Sequence, residues 1–113
     1  MHTNILFVAL AAFLLASTAA FAADGKVTIS APTNGATVGS SEKVMVTYDS
    51  VLGPTGDHLH LYLDGKRIDV LRQIKGSAEV GTLSPGKHHI CVEVNTKAHV
   101  STGVEGCIDV TAK

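Results

Sequence analysis

Histidines are the side chains in this sequence best suited to bind a ligand. Two of them, His58 and His60, flank Leu59 in a short run of β-forming residues. On a β-strand, residues i and i+2 project from the same face at a spacing of about 7 Å, so the two imidazoles point the same way. Such a pair binds a transition metal ion when a third ligand arrives from elsewhere in the chain. The pair therefore predicts part of a metal site on a strand face.

The segments that must position these histidines are short β-strands. After the first 22 residues, β-branched and alternating runs are separated by turn signals, with no sustained helical period. The predicted strands are 26–30, 43–48, 58–64, 67–72, 78–83, 88–95 and 104–111. Asp64-Gly65 predicts a two-residue type I′ hairpin turn, because both positions take positive φ. This pattern predicts an all-β, immunoglobulin- or fibronectin-like sandwich of about seven antiparallel strands.

Alternation along the third predicted strand sends its leucines inward and its histidines outward to solvent. In such a sandwich the third and sixth strands are antiparallel neighbours, so the start of one lies beside the end of the other. This arrangement brings His58 and His60 close to Glu93 and to the following loop, which carries His99. Glu105 lies nearby on the last strand. We therefore predict a metal site on His58, His60 and His99, with Glu93 or Glu105 completing it.

The ligand types indicate which metal ion the site would take. Imidazole nitrogen and carboxylate oxygen favour Cu(II) or Zn(II), and Met45 is the only methionine after the leader, which disfavours Cu(I). His88 and His89 lie about six residues, or ~20 Å, away along the strand and are placed outside the site. The alternative is that the histidines belong to a solvated strand face without metal.

Two cysteines, Cys91 and Cys107, lie on the last two predicted strands with both side chains facing outward. Direct pairing across a hairpin predicts a disulfide worth about 3 kcal/mol in the chain-entropy account. The same register places His89 opposite Asp109, a favourable pair. It also places Glu93 opposite Glu105, which is unfavourable unless a cation is near. The C-x-x-C spacing of thiol oxidoreductases is absent, so the disulfide is interpreted as structural.

The first 22 residues predict a secretory signal peptide. An apolar run over 5–16 precedes Ala20-Phe21-Ala22, an A-x-A site with cleavage expected after Ala22 or Ala23. The run is shorter than the roughly 20 residues that span a bilayer, so no membrane span is expected after cleavage. We expect one domain over 23–113, located in the periplasm or secreted, where a disulfide persists.

Composition excludes two broad classes of protein. With 45% hydrophobic and 17% charged residues, the chain is not intrinsically disordered. The formal net charge of −1 offers no basic surface for a phosphate backbone, so nucleic acid is not an expected partner.

Four segments resemble a family of small exported bacterial domains of unknown function with an immunoglobulin-like fold. They are 31–38 (APTNGATV), 56–64 (GDHLHLYLD), 83–88 (LSPGKH) and Ala98-His99. The family shows three consecutive histidines where this chain has His58-Leu59-His60, and His88 and His99 also match its pattern. The resemblance implies the fold, supports His58, His60 and His99, and brings His88 back into consideration. It implies no activity, and the cysteine pair is a feature of this chain.

No segment predicts an enzyme. The sequence lacks a nucleophile elbow, a Gly-rich phosphate loop and a His-Glu-x-x-His helix. The leading hypothesis is an exported metal-binding module. The alternative is a non-catalytic structural or protein-interaction module of the cell envelope, whose edge strands add to the sheet of an envelope protein partner.

Overall fold

The computed structural model describes residues 25–113. The predicted leader and its cleavage site lie outside the described residues. The strands are β1 Lys26–Ala31, β2 Thr37–Val38, β3 Val44–Val51, β4 His58–Leu63, β5 Lys66–Leu71, β6 Lys75–Gly81, β7 Gly86–Asn95 and β8 Ser101–Ala112. None of these described residues belongs to a helix long and apolar enough to cross a bilayer.

The strands form two sheets. One contains three strands in the order β1-β3-β6, and the other contains five in the order β2-β8-β7-β4-β5. Neighbouring strands are antiparallel, apart from the parallel pairing of β2 with β8. The predicted all-β sandwich is therefore confirmed. The sequence pattern missed β2, because two residues are too few to show alternation.

The core lies between the sheets and follows the alternation of the sequence. Alternate residues of β3, β4, β7 and β8 are buried there: Val44, Val46, Tyr48, Leu59, Leu61, Ile90, Val92, Val94, Ile108 and Val110. Burying an aliphatic side chain of this size contributes about 1.5–3 kcal/mol. This core fixes which face of each strand points away from it, and the histidine pair of β4 lies on such a face.

The β7–β8 pairing has the register predicted from the cysteines. Cys91 lies opposite Cys107, and the two form a disulfide. His89 lies opposite Asp109, and Glu93 lies opposite Glu105. The register then shifts, so that Asn95 lies opposite Ser101.

This shift places extra residues on β8 and shortens the connecting loop to residues 96–100. Gly103 has a φ of 88° within the shifted segment, and the Thr102 hydroxyl donates to the Val94 carbonyl over 3.1 Å. Pairing without a shift would place His99 at the middle of the loop, whereas the observed shift places it past the middle. The bulge therefore contributes to the placement of His99.

Candidate metal centre

Two histidines of the centre come from the start of β4. His58 pairs with Asn95 and His60 with Glu93 on β7, while the intervening Leu59 is in the core. The predicted face is thus correct, but the predicted solvent exposure is wrong. His58 and His60 are only 2% and 1% exposed. Alternation identifies the face of a strand, but it does not show that a loop residue packs over that face.

His99 supplies that cover from the β7–β8 loop. Its ring centroid lies 4.4 Å from that of His58 and 5.2 Å from that of His60. The loop is closed by hydrogen bonds from the Thr96 amide to the Val100 carbonyl and from the His99 amide to the Thr96 carbonyl. His99 has a φ of 64°, a left-handed conformation that costs about 1 kcal/mol or more and is held by its surroundings. The loop thus holds the third imidazole against the other two.

Three ring nitrogens converge at this point. His58 Nε2 lies 3.0 Å from His60 Nε2 and 3.2 Å from His99 Nδ1, and the last two atoms are 3.1 Å apart. The centre of this triangle is about 1.8 Å from each nitrogen. An ion at a Zn–N distance of about 2.0–2.1 Å would therefore sit about 1 Å above the nitrogen plane. The resulting N–metal–N angles are about 100°, close to tetrahedral, and they leave further coordination positions free.

Asp57 fixes the proton of one imidazole. Its Oδ2 accepts a hydrogen bond from His58 Nδ1 over 2.9 Å, and its backbone amide donates to the Asn95 carbonyl over 2.8 Å. The hydrogen bond from His58 holds the pKa of the Asp57 carboxyl below its usual range, with smaller contributions from nearby positive charge. Since Nδ1 donates to a carboxylate, the Nε2 of a neutral His58 presents its lone pair to the cluster.

Asp57 was missing from the predicted site. The available signal was its position directly before the histidine pair, which permits a carboxylate–histidine hydrogen bond of the kind that orients metal ligands. Alternation on β4 gave no information about it, because Asp57 precedes the strand.

Burial and neighbouring charge favour the neutral form of His60. Burial lowers the pKa of His60, and the neighbouring His58 lowers it further. A neutral imidazole is the form that binds a metal ion. The three nitrogens lie about 3 Å apart, and Nε2 of a neutral His58 carries no hydrogen. At least one pair of these nitrogens therefore has no N–H···N hydrogen bond between its members. A cation at the centre would remove the resulting lone-pair repulsion.

Neither predicted carboxylate belongs to this group of ligand atoms. The group consists of one ring nitrogen each from His58, His60 and His99, all within 4.8 Å of one another. Glu93 Oε1 instead accepts hydrogen bonds from the Tyr62 hydroxyl at 3.3 Å and from Asn95 Nδ2 at 3.1 Å. Glu105 Oε1 lies 3.0 Å from Cys107 Sγ. Cross-strand pairing put Glu93 beside His60, but Tyr62 and Asn95 bind its carboxylate.

His88 is on β7 and lies near the end of β4 that is farther from the three histidines. Its Nδ1 donates to Asp64 Oδ2 over 2.6 Å, and its Nε2 donates to the Ser84 carbonyl over 2.7 Å. These two acceptors, with Asp64 the stronger influence, raise the pKa of His88. His88 therefore joins the β4–β5 turn to the segment before β7, and the structure does not bring it to the three histidines.

Comparison by sequence finds no matching family model and no matching curated protein. Solved structures share the architecture. Fibronectin(III)-like modules of CbhA from Clostridium thermocellum superpose with a TM-score of 0.64 at 18% identity, over 77% of this chain and 96% of theirs. This domain has a fibronectin III-like fold. An engineered protein matches the fibronectin III-like domain with a TM-score of 0.54 at 21% identity, over 85% of this chain and 21% of its own. At these identities the likeness concerns the fold alone.

Proposed function

We propose that this fibronectin III-like domain is an exported, non-catalytic metal-binding module that holds one Cu(II) or Zn(II) ion on His58, His60 and His99. The observation that carries the proposal is the convergence of three imidazole nitrogens within 3.0–3.2 Å of one another. Two of these rings are buried on a strand, where burial normally excludes an unpaired polar group.

The surroundings fit an ion better than a purely structural cluster. A structural histidine needs a hydrogen-bond partner at each ring nitrogen, and the His88 ring has them, since it donates to the Asp64 carboxylate and to the Ser84 carbonyl. His58 Nε2, by contrast, faces two further imidazole nitrogens, those of His60 and His99. Neither of these rings offers a positive charge to it when the ring is neutral. The Asp57–His58 hydrogen bond is the outer-shell contact typical of histidine metal ligands.

The ligand arrangement also suggests how an ion would enter and leave. His58 and His60 are held in a paired strand, whereas His99 is exposed on a loop of a few residues. Movement of this loop would open the site without disturbing β4. The coordination positions left free by three nitrogens would accept water or a donor atom from a partner.

The disulfide supports an oxidising location for this function. Bonds such as Cys91–Cys107 persist in exported proteins and are rare in the cytosol. Imidazole suits Cu(II) and Zn(II) alike.

A second candidate function is a structural or protein-interaction module of the cell envelope. The fold it shares with the CbhA modules favours this alternative. Strand β5 lies at the edge of the five-stranded sheet, and its residues 66–69 are exposed. Such an edge can pair with a strand of an envelope protein.

Calorimetric titration of the purified, oxidised protein with Cu(II) and with Zn(II) tests the proposal. We expect one ion per chain with a Kd below about 1 μM, equivalent to about −8 kcal/mol. The variant His99→Ala removes an exposed ligand and should weaken binding at least about tenfold. The matched control His88→Ala should bind like the wild type. Equal binding by His99→Ala would refute the site and favour the interaction module.

A further inference from the structure

A second group of ligand-type atoms lies farther along the same outer face of the five-stranded sheet. It consists of His89 and the two disulfide sulfurs, all within 4.8 Å of one another. Cys91 and Cys107 are directly opposite on β7 and β8. His89 shares the face of Cys91 because it lies two residues before it on β7.

His89 is oriented toward the sulfur atoms. Its Nδ1 donates to Asp109 Oδ1 over 2.8 Å, and its Nε2 lies 3.2 Å from Cys91 Sγ. The arrangement repeats that of Asp57 and His58, where a carboxylate accepts from Nδ1 and Nε2 remains to bind an ion. Glu105 approaches the other sulfur, with Oε1 3.0 Å from Cys107 Sγ.

Two of the three residues in the group, His89 and Cys107, are exposed to solvent. The side chains of His89 and Asp109 are 53% and 70% exposed, and Cys107 is exposed as well. Cys91 is only 9% exposed, and it lines a pocket together with Tyr62, Gly65, His89, Glu93 and Glu105. The exposed Cys107 is therefore the side from which a reductant approaches the disulfide.

We propose that the Cys91–Cys107 disulfide is the closed form of a second metal site, which reduction opens for Zn(II) or Cu(I). A dithiol reductant breaks the S–S bond by transferring two electrons and two protons, and is itself oxidised to a disulfide. This gives two thiols, each of which releases its proton as its sulfur binds the ion. Two thiolates and one imidazole form a donor set typical of zinc and of Cu(I), and Glu105 is placed to supply a fourth ligand.

This site goes beyond the function proposed above and shares no residue with the three-histidine centre. The oxidised protein would bind an ion at the histidines alone, and the reduced protein would bind a second, softer ion. The number of ions bound per chain would thus depend on the redox state of the surroundings.

Titration with Cd²⁺ under anaerobic conditions tests the second site, because Cd²⁺ bound to thiolates gives an ultraviolet charge-transfer absorption. The three histidines contain no sulfur and cannot give this band, so the result is independent of the first site. After reduction with a phosphine, we expect a band whose final amplitude corresponds to one thiolate-bound Cd²⁺ per chain. The oxidised protein should give none. Cd²⁺ should also raise the Tm of the reduced protein.

Variants separate a built site from simple binding to free thiols. His89→Ala should weaken Cd²⁺ binding to the reduced protein at least about tenfold, whereas the adjacent His88→Ala should leave it unchanged. A missing band, or equal affinity in His89→Ala, would overturn the proposal. Loss of the β-sheet circular dichroism on reduction would overturn it too, because the site requires β7 and β8 to remain paired.

Discussion

His58 Nδ1 donates a hydrogen bond to Asp57 Oδ2 over 2.9 Å. This contact determines the chemistry of the three-histidine centre, because it leaves Nε2 of a neutral His58 free of hydrogen. That nitrogen lies 3.0 Å from His60 Nε2 and 3.2 Å from His99 Nδ1. An exposed carboxylate just before β4 therefore directs the lone pair of a neutral, buried His58 toward the other two imidazoles.

Removing this carboxylate should weaken the site without unfolding the domain. Asp57→Ala takes away the acceptor that orients the His58 ring, and outer-shell changes of this kind cost about 10–100-fold in metal affinity. Calorimetric titration with Zn(II) measures the loss. Asp49→Ala, an exposed carboxylate on β3 in the other sheet, is the control. Unchanged affinity in Asp57→Ala would show that the hydrogen bond plays no part in binding.

A bound ion should stabilise the fold, because it links β4 to the β7–β8 loop. At a free ion concentration of about 100 times Kd, binding to the native state alone adds about 2.7 kcal/mol. Thermal unfolding with and without Zn(II) should therefore show a higher Tm in the wild type. In His99→Ala most of this increase should vanish. An equal increase in both proteins would mean that Zn(II) binds elsewhere.

Replacing His60 should destabilise the protein even without metal. Its side chain is 1% exposed, so His60→Ala leaves a cavity, a change that typically costs about 1–3 kcal/mol. Urea unfolding of the metal-free proteins measures the difference. His89→Ala, in which a half-exposed ring is removed, should cost less than His60→Ala. Equal stability of wild type and His60→Ala would contradict the observed burial.

The His88–Asp64 pair should make stability depend on pH. Asp64 and the Ser84 carbonyl raise the pKa of His88 above its ordinary 6.5. This stabilisation is complete below about pH 6.5 and is lost as the pH rises through the higher folded-state value. The backbone amide of His89, and then His88, lower the pKa of Asp64 below its ordinary 3.8. Its contribution is present above about pH 3.8 and is lost as the pH falls through the lower folded-state value.

Urea unfolding of the wild type and His88→Ala at about pH 5 and about pH 8 checks this prediction. The wild type should exceed the variant in stability by more at about pH 5 than at about pH 8. A difference that does not change with pH would show that His88 stabilises the fold without its charge.

Local pattern and register predicted much of the frame. The pairing of Cys91 with Cys107 set the register in which His89 faces Asp109. Alternation gave the inward side of β4, and Asp64 and Gly65 have the positive φ values, 52° and 83°, that the type I′ turn requires. These features depend on neighbours along one strand or across one ladder.

Other features depend on contacts that no local pattern contains. The burial of His60 arises when His99 packs over the face of β4, and the position of His99 follows from a register shift near Gly103. Glu93 was assigned to the metal site by its place opposite His60, yet its carboxylate binds Tyr62 and Asn95. The position of a residue on a strand fixes its Cα and the face on which its side chain lies. The packing of neighbouring side chains determines which groups the charged end contacts.

X-ray absorption at the zinc edge tests the central claim most directly. The oxidised, purified protein would be loaded with one equivalent of Zn(II), and the first coordination shell measured. We predict three imidazole nitrogens at about 2.0–2.1 Å, with the remaining positions filled by oxygen ligands and no sulfur. In His99→Ala the spectrum should lose one imidazole. A wild-type first shell with fewer than three imidazoles, or a spectrum unchanged in His99→Ala, would contradict a metal centre on His58, His60 and His99.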